Sequence, residues 1–209
     1  MGGKNDYLFS RSQITKDGVN NSRGIDLLNF SRFFSNTGIQ GGKVSQVRSD
    51  HKVLYMLIGP KGSGKTHIGM LVDRYTDIAF LRVESVWLTV QPGEDGWKKV
   101  EAAIDAMFQV HTKVIVESLG AGDGFRGLYS SLAEKYPIKM IHVYADQATC
   151  LARVKNRNSA DHIAVSDDQV IEYNKIAARV AFPWDLEINN NDPATDADIL
   201  SAIGSINRI

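Results

Sequence analysis

Apolar and polar positions follow two different periods from residue 52 onward. Val53–Ile58 is a continuous apolar run, which is typical of a strand buried on both faces. The segments between such runs place apolar side chains three or four positions apart, as an amphipathic helix does. Four further short apolar runs predict strands at Ile78–Val83, Val114–Val116, Ile138–Tyr144 and Trp184–Ile188.

Several of the predicted helices begin at recognisable capping residues. Asp146 precedes one helical pattern, Ser166 and Gln169 form the Ser-x-x-Gln capping box of the next, and Thr195 precedes the last. Strands that alternate with helices indicate a mainly parallel sheet covered on both faces. We therefore predict an α/β fold over residues 51–209, with three layers, α/β/α, around a five-stranded sheet.

Residues 1–50 differ in composition from the rest of the chain. They are rich in Gly, Ser and Asn and poor in aliphatic side chains, apart from a segment in which Leu27, Phe30 and Phe34 fit one helix face. The segment is interpreted as a polar, partly flexible extension whose short helix packs on the domain. A partner-docking or substrate-covering element is the alternative.

Overall composition excludes several classes of protein. The 209 residues carry 24 basic and 24 acidic side chains, so the overall charge does not indicate binding to nucleic acid. A local basic groove is still compatible with this balance. The single cysteine, Cys150, excludes an internal disulfide and a cysteine-cluster metal site. No apolar run approaches the roughly 18 residues of a membrane helix, and no signal peptide is recognised, so we expect a cytoplasmic protein without membrane contact.

Residues 59–66 match the phosphate-binding P-loop pattern G-x-x-x-x-G-K-[S/T], between an apolar strand and an amphipathic helix. Glycines let successive backbone N–H groups point at phosphate oxygens, and the helix N-terminus adds partial positive charge. Lys65 would bridge the β- and γ-phosphates of ATP, and the Thr66 hydroxyl would ligate Mg²⁺. The residues assigned to the nucleotide are Gly59, Pro60, Lys61, Gly62, Ser63, Gly64, Lys65, Thr66 and His67.

Two large classes of P-loop protein lack support in the sequence. A GTPase carries Asn-Lys-x-Asp after a later strand, whereas Asn174–Ala177 lacks the aspartate and lies in a helical pattern. A motor or AAA-type ATPase carries paired acids at the end of a strand, whereas the third strand here ends in Glu117 alone. The small-molecule and nucleotide kinases remain.

The chain resembles that kinase group over residues 52–208. Its loop fits the G-x-x-G-x-G-K-[S/T] variant of shikimate, gluconate and nucleoside-monophosphate kinases, and Leu151–Arg157 resembles the R-x-x-x-R that opens the mobile lid of adenylate-kinase-like enzymes. The resemblance implies a short lid near 157–166, with Arg157 on the phosphates and Arg153 stacked on adenine or reaching the phosphates. It also implies a P-loop strand that lies between the third and fourth strands.

Two acids are assigned to the acceptor and the metal. Glu84, read as the end of strand two, stands where related kinases place an acceptor-binding acid or a base, and we favour those roles for it. Glu117, at the end of strand three, would hold Mg²⁺ through water or orient the acceptor, because ligands gather at the carboxyl ends of parallel strands. A strand-end surface acid is the alternative for both. The sequence departs from shikimate kinases, which carry Asp-x-Asp where Arg82-Val83-Glu84 stands here.

These observations predict a monomeric or dimeric kinase that transfers the γ-phosphoryl group of ATP to a hydroxyl or phosphate of a small acceptor. The predicted catalytic residues are Lys65, Glu84, Glu117 and Arg157. Two alternatives are a kinase for nucleotide or polynucleotide 5′ ends, which needs a basic groove, and a non-catalytic ATP-binding regulatory or interaction protein.

Overall fold

The computed structural model describes residues 52–156, 163, 165–192 and 194–207. The predicted N-terminal extension, residues 1–50, and most of the predicted lid lie outside these ranges. The strands are β1 Val53–Ile58, β2 Ala79–Leu81, β3 Lys113–Ser118, β4 Ile138–Tyr144 and β5 Leu186–Asn189. The helices are α1 Lys65–Tyr75, α2 Val83–Trp87, α3 Gly96–Met107, α4 Asp123–Ala133, α5 Gln147–Asn156, α6 Asp167–Ala177 and α7 Asp196–Ile206.

The described strands form one five-stranded sheet in the order β2-β3-β1-β4-β5. Every neighbouring pair is parallel, so all the carboxyl ends lie at one edge. The predicted α/β class is therefore confirmed, and so is the position of β1 between β3 and β4. Leu57 of β1 is level with Glu117 of β3, which brings the end of β3 beside the start of the P-loop.

Strand β1 supplies both layers of the core. All six of its residues are buried, as the continuous apolar run predicts. Alternate side chains point to opposite faces, so Leu54, Met56 and Ile58 pack with α3 and α4, whereas Val53, Tyr55 and Leu57 pack with α1 and α7. The central strand is thus fixed from both sides, and the loop that follows it starts from a rigid base.

The predicted capping signals are present as hydrogen bonds. The Asp146 carboxylate accepts from the Thr149 amide at 2.8 Å, Ser166 and Gln169 form the complete capping box, and the Thr195 hydroxyl accepts from the Asp198 amide at 3.2 Å. These bonds satisfy amides that have no partner within their own helix. Local sequence therefore determines where α5, α6 and α7 begin.

Strand β2 is shorter than predicted, which corrects the place of Glu84. Beyond Leu81 the next apolar residues are Val83 and Val86, each 8% exposed, which are three positions apart and lie on the buried side of helix α2. Because a short apolar run fits either a strand or one face of a helix, the sequence pattern did not separate the two. Glu84 lies in the first turn of α2 and does not end β2.

Strand β5 also begins two residues later than predicted, at Leu186. Pro183 precedes Trp184, whose ring stacks on His142 of the neighbouring strand with centroids 4.7 Å apart. None of the helices over the described ranges combines the length and the apolar character that crossing a bilayer requires.

Candidate active site

The P-loop folds tightly between β1 and α1. Gly62 and Gly64 have φ angles of +90° and +98°, a region that side chains other than glycine rarely adopt. Space is limiting as well: a Cβ on Gly62 would lie 2.4 Å from the Cys150 carbonyl oxygen, and one on Gly64 would lie 2.3 Å from Asn190 Nδ2. Conformation and close packing therefore both require glycine at these two positions.

The Lys65 side chain is folded back onto the loop that precedes it. Its Nζ donates to the carbonyl oxygens of Gly59, at 2.9 Å, and of Pro60, at 2.7 Å. The residue is only 9% exposed, and this burial lowers the pKa of Lys65 to about 8, although the nearby Glu117 carboxylate opposes the shift. A buried ammonium group is thus held at the loop by neutral carbonyl groups.

Thr66 and Glu117 meet at the carboxyl end of the sheet. The Thr66 hydroxyl, in the first turn of α1, donates to Glu117 Oε2 at 2.6 Å. A hydroxyl and a carboxylate are oxygen ligands of the kind that Mg²⁺ prefers, and Mg²⁺ usually keeps waters and substrate phosphate oxygens as its other ligands. No cluster of three or more His, Cys, Asp or Glu side chains suited to a metal occurs among the described residues. The pair therefore fits a shared metal–phosphate site and does not form an all-protein cage.

Glu84 reaches the P-loop from the first turn of α2. Its carboxylate lies 4.0 Å from Lys61 Nζ and 3.1 Å from an Arg82 nitrogen, and the backbone amide of Ile163 donates to it at 2.8 Å. The predicted acid thus lies beside the P-loop, although it does not stand at a strand end. The sequence reasoning did not anticipate that Arg82 would pair with it.

Arg153 lies beside the turn that follows β5. One of its terminal nitrogens donates to the Asn191 carbonyl oxygen at 3.4 Å. The other, Nη1, is buried and has no hydrogen-bond partner among the described residues. Since buried donors are normally satisfied, this orphaned nitrogen suits a ligand that accepts a hydrogen bond. Arg157, the second predicted lid arginine, lies outside the described residues.

Two other predicted nucleotide residues differ in their surroundings. Ser63 is fully buried, and its hydroxyl has no hydrogen-bond partner in the part of the chain that the structure describes. The His67 side chain is 64% exposed and lies 3.2 Å from Asp196 of α7, so it points to the last helix. Only the backbone of His67 stays close to the loop through the first turn of α1.

Two asparagines that sequence reasoning did not assign also contact the loop. Asn174 of α6 bonds to the backbone of Lys61 through both its amide oxygen and its amide nitrogen. Asn190, directly after β5, donates to the Ser63 carbonyl oxygen at 2.7 Å. The sequence feature that could have indicated a buried Asn174 is its spacing: it lies four residues after Val170 and three before Ala177, on the buried face of its helix.

No family model and no curated protein matches this sequence, but solved structures do. An APS kinase of Mycobacterium tuberculosis, determined with AMPPNP and APS, is 14% identical, with 74% of this chain and 96% of that chain covered and a TM-score of 0.55. A sugar kinase from Janibacter sp. is 14% identical, with 74% and 93% covered and a TM-score of 0.54. A gluconokinase from Sinorhizobium meliloti is 15% identical, with 78% and 94% covered and a TM-score of 0.50.

These three proteins are small-molecule kinases by name, and each is aligned over more than nine tenths of its own length. What they share with this chain is the arrangement of the sheet and helices. The expectation drawn from the loop and the arginine pair is thereby confirmed at the level of the fold. The chain has the P-loop kinase-like fold, and its P-loop, Thr66 and Glu117 lie together at the carboxyl edge of the sheet.

Proposed function

We propose that this protein is an ATP-dependent kinase for a small acceptor. The observation that carries the proposal is the hydrogen bond between Thr66 and Glu117, next to the buried Lys65. A Gly-rich loop alone can bind phosphate. A hydroxyl, a carboxylate and an ammonium group close together can in addition bind a metal ion and stabilise the negative charge of the phosphoryl group during transfer. Likeness to kinases at the level of the fold supports the same reaction class.

In the proposed reaction an oxygen of the acceptor attacks the γ-phosphorus of ATP. The bond from that phosphorus to the β,γ-bridging oxygen breaks, and ADP leaves with the electron pair. Lys65 would exchange its two carbonyl partners for phosphate oxygens, and Arg153 would use its orphaned nitrogen on the nucleotide. Bound Mg²⁺ would neutralise part of the phosphate charge, and Thr66 and Glu117 would hold it there. Arg157 is proposed to contact the phosphates.

The direct test is ADP release from Mg·ATP in the presence of pooled acceptors. The pools are sugars, sugar acids, nucleosides, nucleotides and 5′-hydroxyl oligonucleotides, and Lys65→Met is the control. We expect one small-molecule pool to stimulate ADP release in the wild type only. Stimulation by oligonucleotides alone would favour a polynucleotide 5′-end kinase, and ATP binding without stimulation by any pool would favour a regulatory nucleotide-binding protein.

Glu84 is proposed to serve the acceptor as a binding residue or as the base that takes its hydroxyl proton. The Glu84→Gln variant keeps the size of the side chain and an oxygen for the Ile163 amide but removes the charge. We expect its turnover with the stimulating pool to fall about a hundredfold, within the range for a general base. The KM for ATP should stay within a factor of two. A raised KM for ATP with unchanged turnover would contradict the acceptor role and would show that Glu84 supports ATP binding through its contact with Lys61 of the P-loop.

A further inference from the structure

Two asparagines from different parts of the chain hold the backbone of the P-loop. Asn174 is 6% exposed, and its Oδ1 accepts from the Lys61 amide at 2.7 Å while its Nδ2 donates to the Lys61 carbonyl oxygen at 3.1 Å. Asn190 is 7% exposed, and its Nδ2 donates to the Ser63 carbonyl oxygen at 2.7 Å. The backbone amide of Asn190 bonds in turn to the Tyr144 carbonyl oxygen, at 2.8 Å, at the end of β4. We call Asn174 and Asn190 the asparagine clamp.

The clamp determines which way two peptide planes of the loop face. In a trans peptide the carbonyl of one residue and the N–H of the next point in opposite directions. Because Asn174 holds the Lys61 carbonyl toward α6, the amide of Gly62 must point away from α6. Because Asn190 holds the Ser63 carbonyl toward β5, the amide of Gly64 must point away from β5.

The two amides oriented in this way are available to a ligand. Among the described residues, neither the Gly62 nor the Gly64 amide donates a backbone hydrogen bond, whereas the Ser63 amide is used within the loop by the Pro60 carbonyl at 3.2 Å. Glycine at both positions adopts positive φ, which lets the loop reverse direction at each of these peptides. Without the clamp, carbonyl oxygens of this loop would be free to turn toward the phosphates and repel them.

We infer that Asn174 and Asn190 are positioning residues of the nucleotide site, which orient the Gly62 and Gly64 amides toward the phosphates of ATP. The inference rests on the proposed function, since it requires that the loop bind a nucleotide. It goes beyond that function in assigning phosphate affinity to two side chains that lie 113 and 127 residues from the backbone groups they hold. Neither side chain is expected to touch the nucleotide.

The test compares Asn174→Leu and Asn190→Leu with the wild-type full chain. Each Leu variant keeps nearly the size of the side chain and loses the amide donor to the loop carbonyl, without adding a charge that would itself repel phosphate. Lys175→Leu, at an exposed position of the same helix, is the matched control. Isothermal titration calorimetry would measure the affinity for Mg·AMPPNP and for adenosine, and thermal unfolding without ligand would report the fold.

We expect the Kd for Mg·AMPPNP to rise about tenfold in each clamp variant, as the loss of one or two net hydrogen bonds implies. The Kd for adenosine, which carries no phosphate, and the affinities of Lys175→Leu should stay within twofold of the wild type. The clamp variants could instead fold and bind Mg·AMPPNP as tightly as the wild type, with only a lower unfolding temperature. That result would show that the asparagines are purely structural, and it would overturn this inference but not the proposed function. A wild-type protein that bound no Mg·AMPPNP would overturn the proposed function and this inference together.

If Asn174→Leu fails to fold, Asn190→Leu still distinguishes a positioning role from a purely structural one. Asn190 holds the Ser63 carbonyl through its Nδ2 donor, so its variant removes that bond without changing α6. An equal weakening of AMPPNP and adenosine in these variants would indicate a general loss of the pocket and would contradict a role in phosphate orientation.

Discussion

Replacing Lys65 with methionine is expected to lower acceptor-dependent ADP release about a thousandfold, the upper range for losing one preorganised charge-stabilising donor. Lys65 follows the glycine turn at Gly64 directly, and its ammonium group already bonds to the Gly59 and Pro60 carbonyl oxygens of the loop. Methionine has similar length and no charge, so it keeps the packing and removes the cation. Steady-state ADP release at saturating Mg·ATP measures the effect, with the exposed Lys175→Met as control. Turnover within tenfold of the wild type would contradict the proposed P-loop chemistry.

The same variant is expected to stabilise the protein when no nucleotide is bound. Burial lowers the pKa of Lys65 to about 8, compared with 10.5 for a free lysine. The unfolded chain therefore binds the proton of Lys65 more tightly than the folded chain does. This difference lowers the free energy of unfolding by its full amount below pH 8, and the lowering disappears as the pH rises to 10.5. A shift of this size corresponds to about 3 kcal/mol.

Urea unfolding of both proteins at several pH values tests this linkage. Lys65→Met should exceed the wild type in stability at pH 7, and the difference should shrink between pH 8 and pH 10.5, because only the wild type loses the buried charge there. A difference that does not change with pH would show that the carbonyl partners fully compensate the buried charge, and a methionine variant that is less stable at pH 7 would show that the lost hydrogen bonds outweigh the charge penalty.

Replacing Glu117 with glutamine is expected to lower turnover about a hundredfold and to raise the Mg²⁺ concentration needed for half-maximal activity. Glutamine retains an oxygen that can accept from Thr66, so the hydrogen bond at the end of β3 can persist. The carboxylate charge that would attract the metal is lost. Titration of ADP release with Mg²⁺ measures the change, and Glu172→Gln at an exposed position of α6 is the control. An unchanged Mg²⁺ requirement would remove Glu117 from the metal site.

Local signals were enough to predict the parts of the site that lie close together in sequence. The glycine spacing of residues 59–66, the apolar strand before it and the helix after it together specify one loop conformation. The rule that parallel strands end at a common edge then predicts that Glu117 comes close to Thr66, and the two are 2.6 Å apart. Capping residues such as Ser166 and Thr195 bond to amides in the first turn of their own helix, so their role could also be predicted from the sequence.

Residues that act across the fold could not be assigned in this way. The helical spacing of Asn174 indicates only that it is buried, and Asn190 has no such spacing; neither pattern identifies the P-loop as the partner, because the partners are more than a hundred residues away. Glu84 is predicted at a strand end because the short apolar segment Ile78–Val83 fits a strand, whereas its last residue, Val83, begins a helix. Only packing against the core decides between those two structures.

The surroundings of the P-loop have a consequence for synthesis on the ribosome. The loop itself is made early, but the groups that bracket it, among them Val143, Cys150, Asn174 and Asn190, come from much later in the chain. At 5–20 residues per second the interval between residue 66 and residue 190 is on the order of ten seconds. During that time a nascent chain carries a glycine-rich segment that has no clamp and no neighbouring β4. A nucleotide bound as proposed would therefore stabilise the protein by mass action only once nearly the whole domain has emerged.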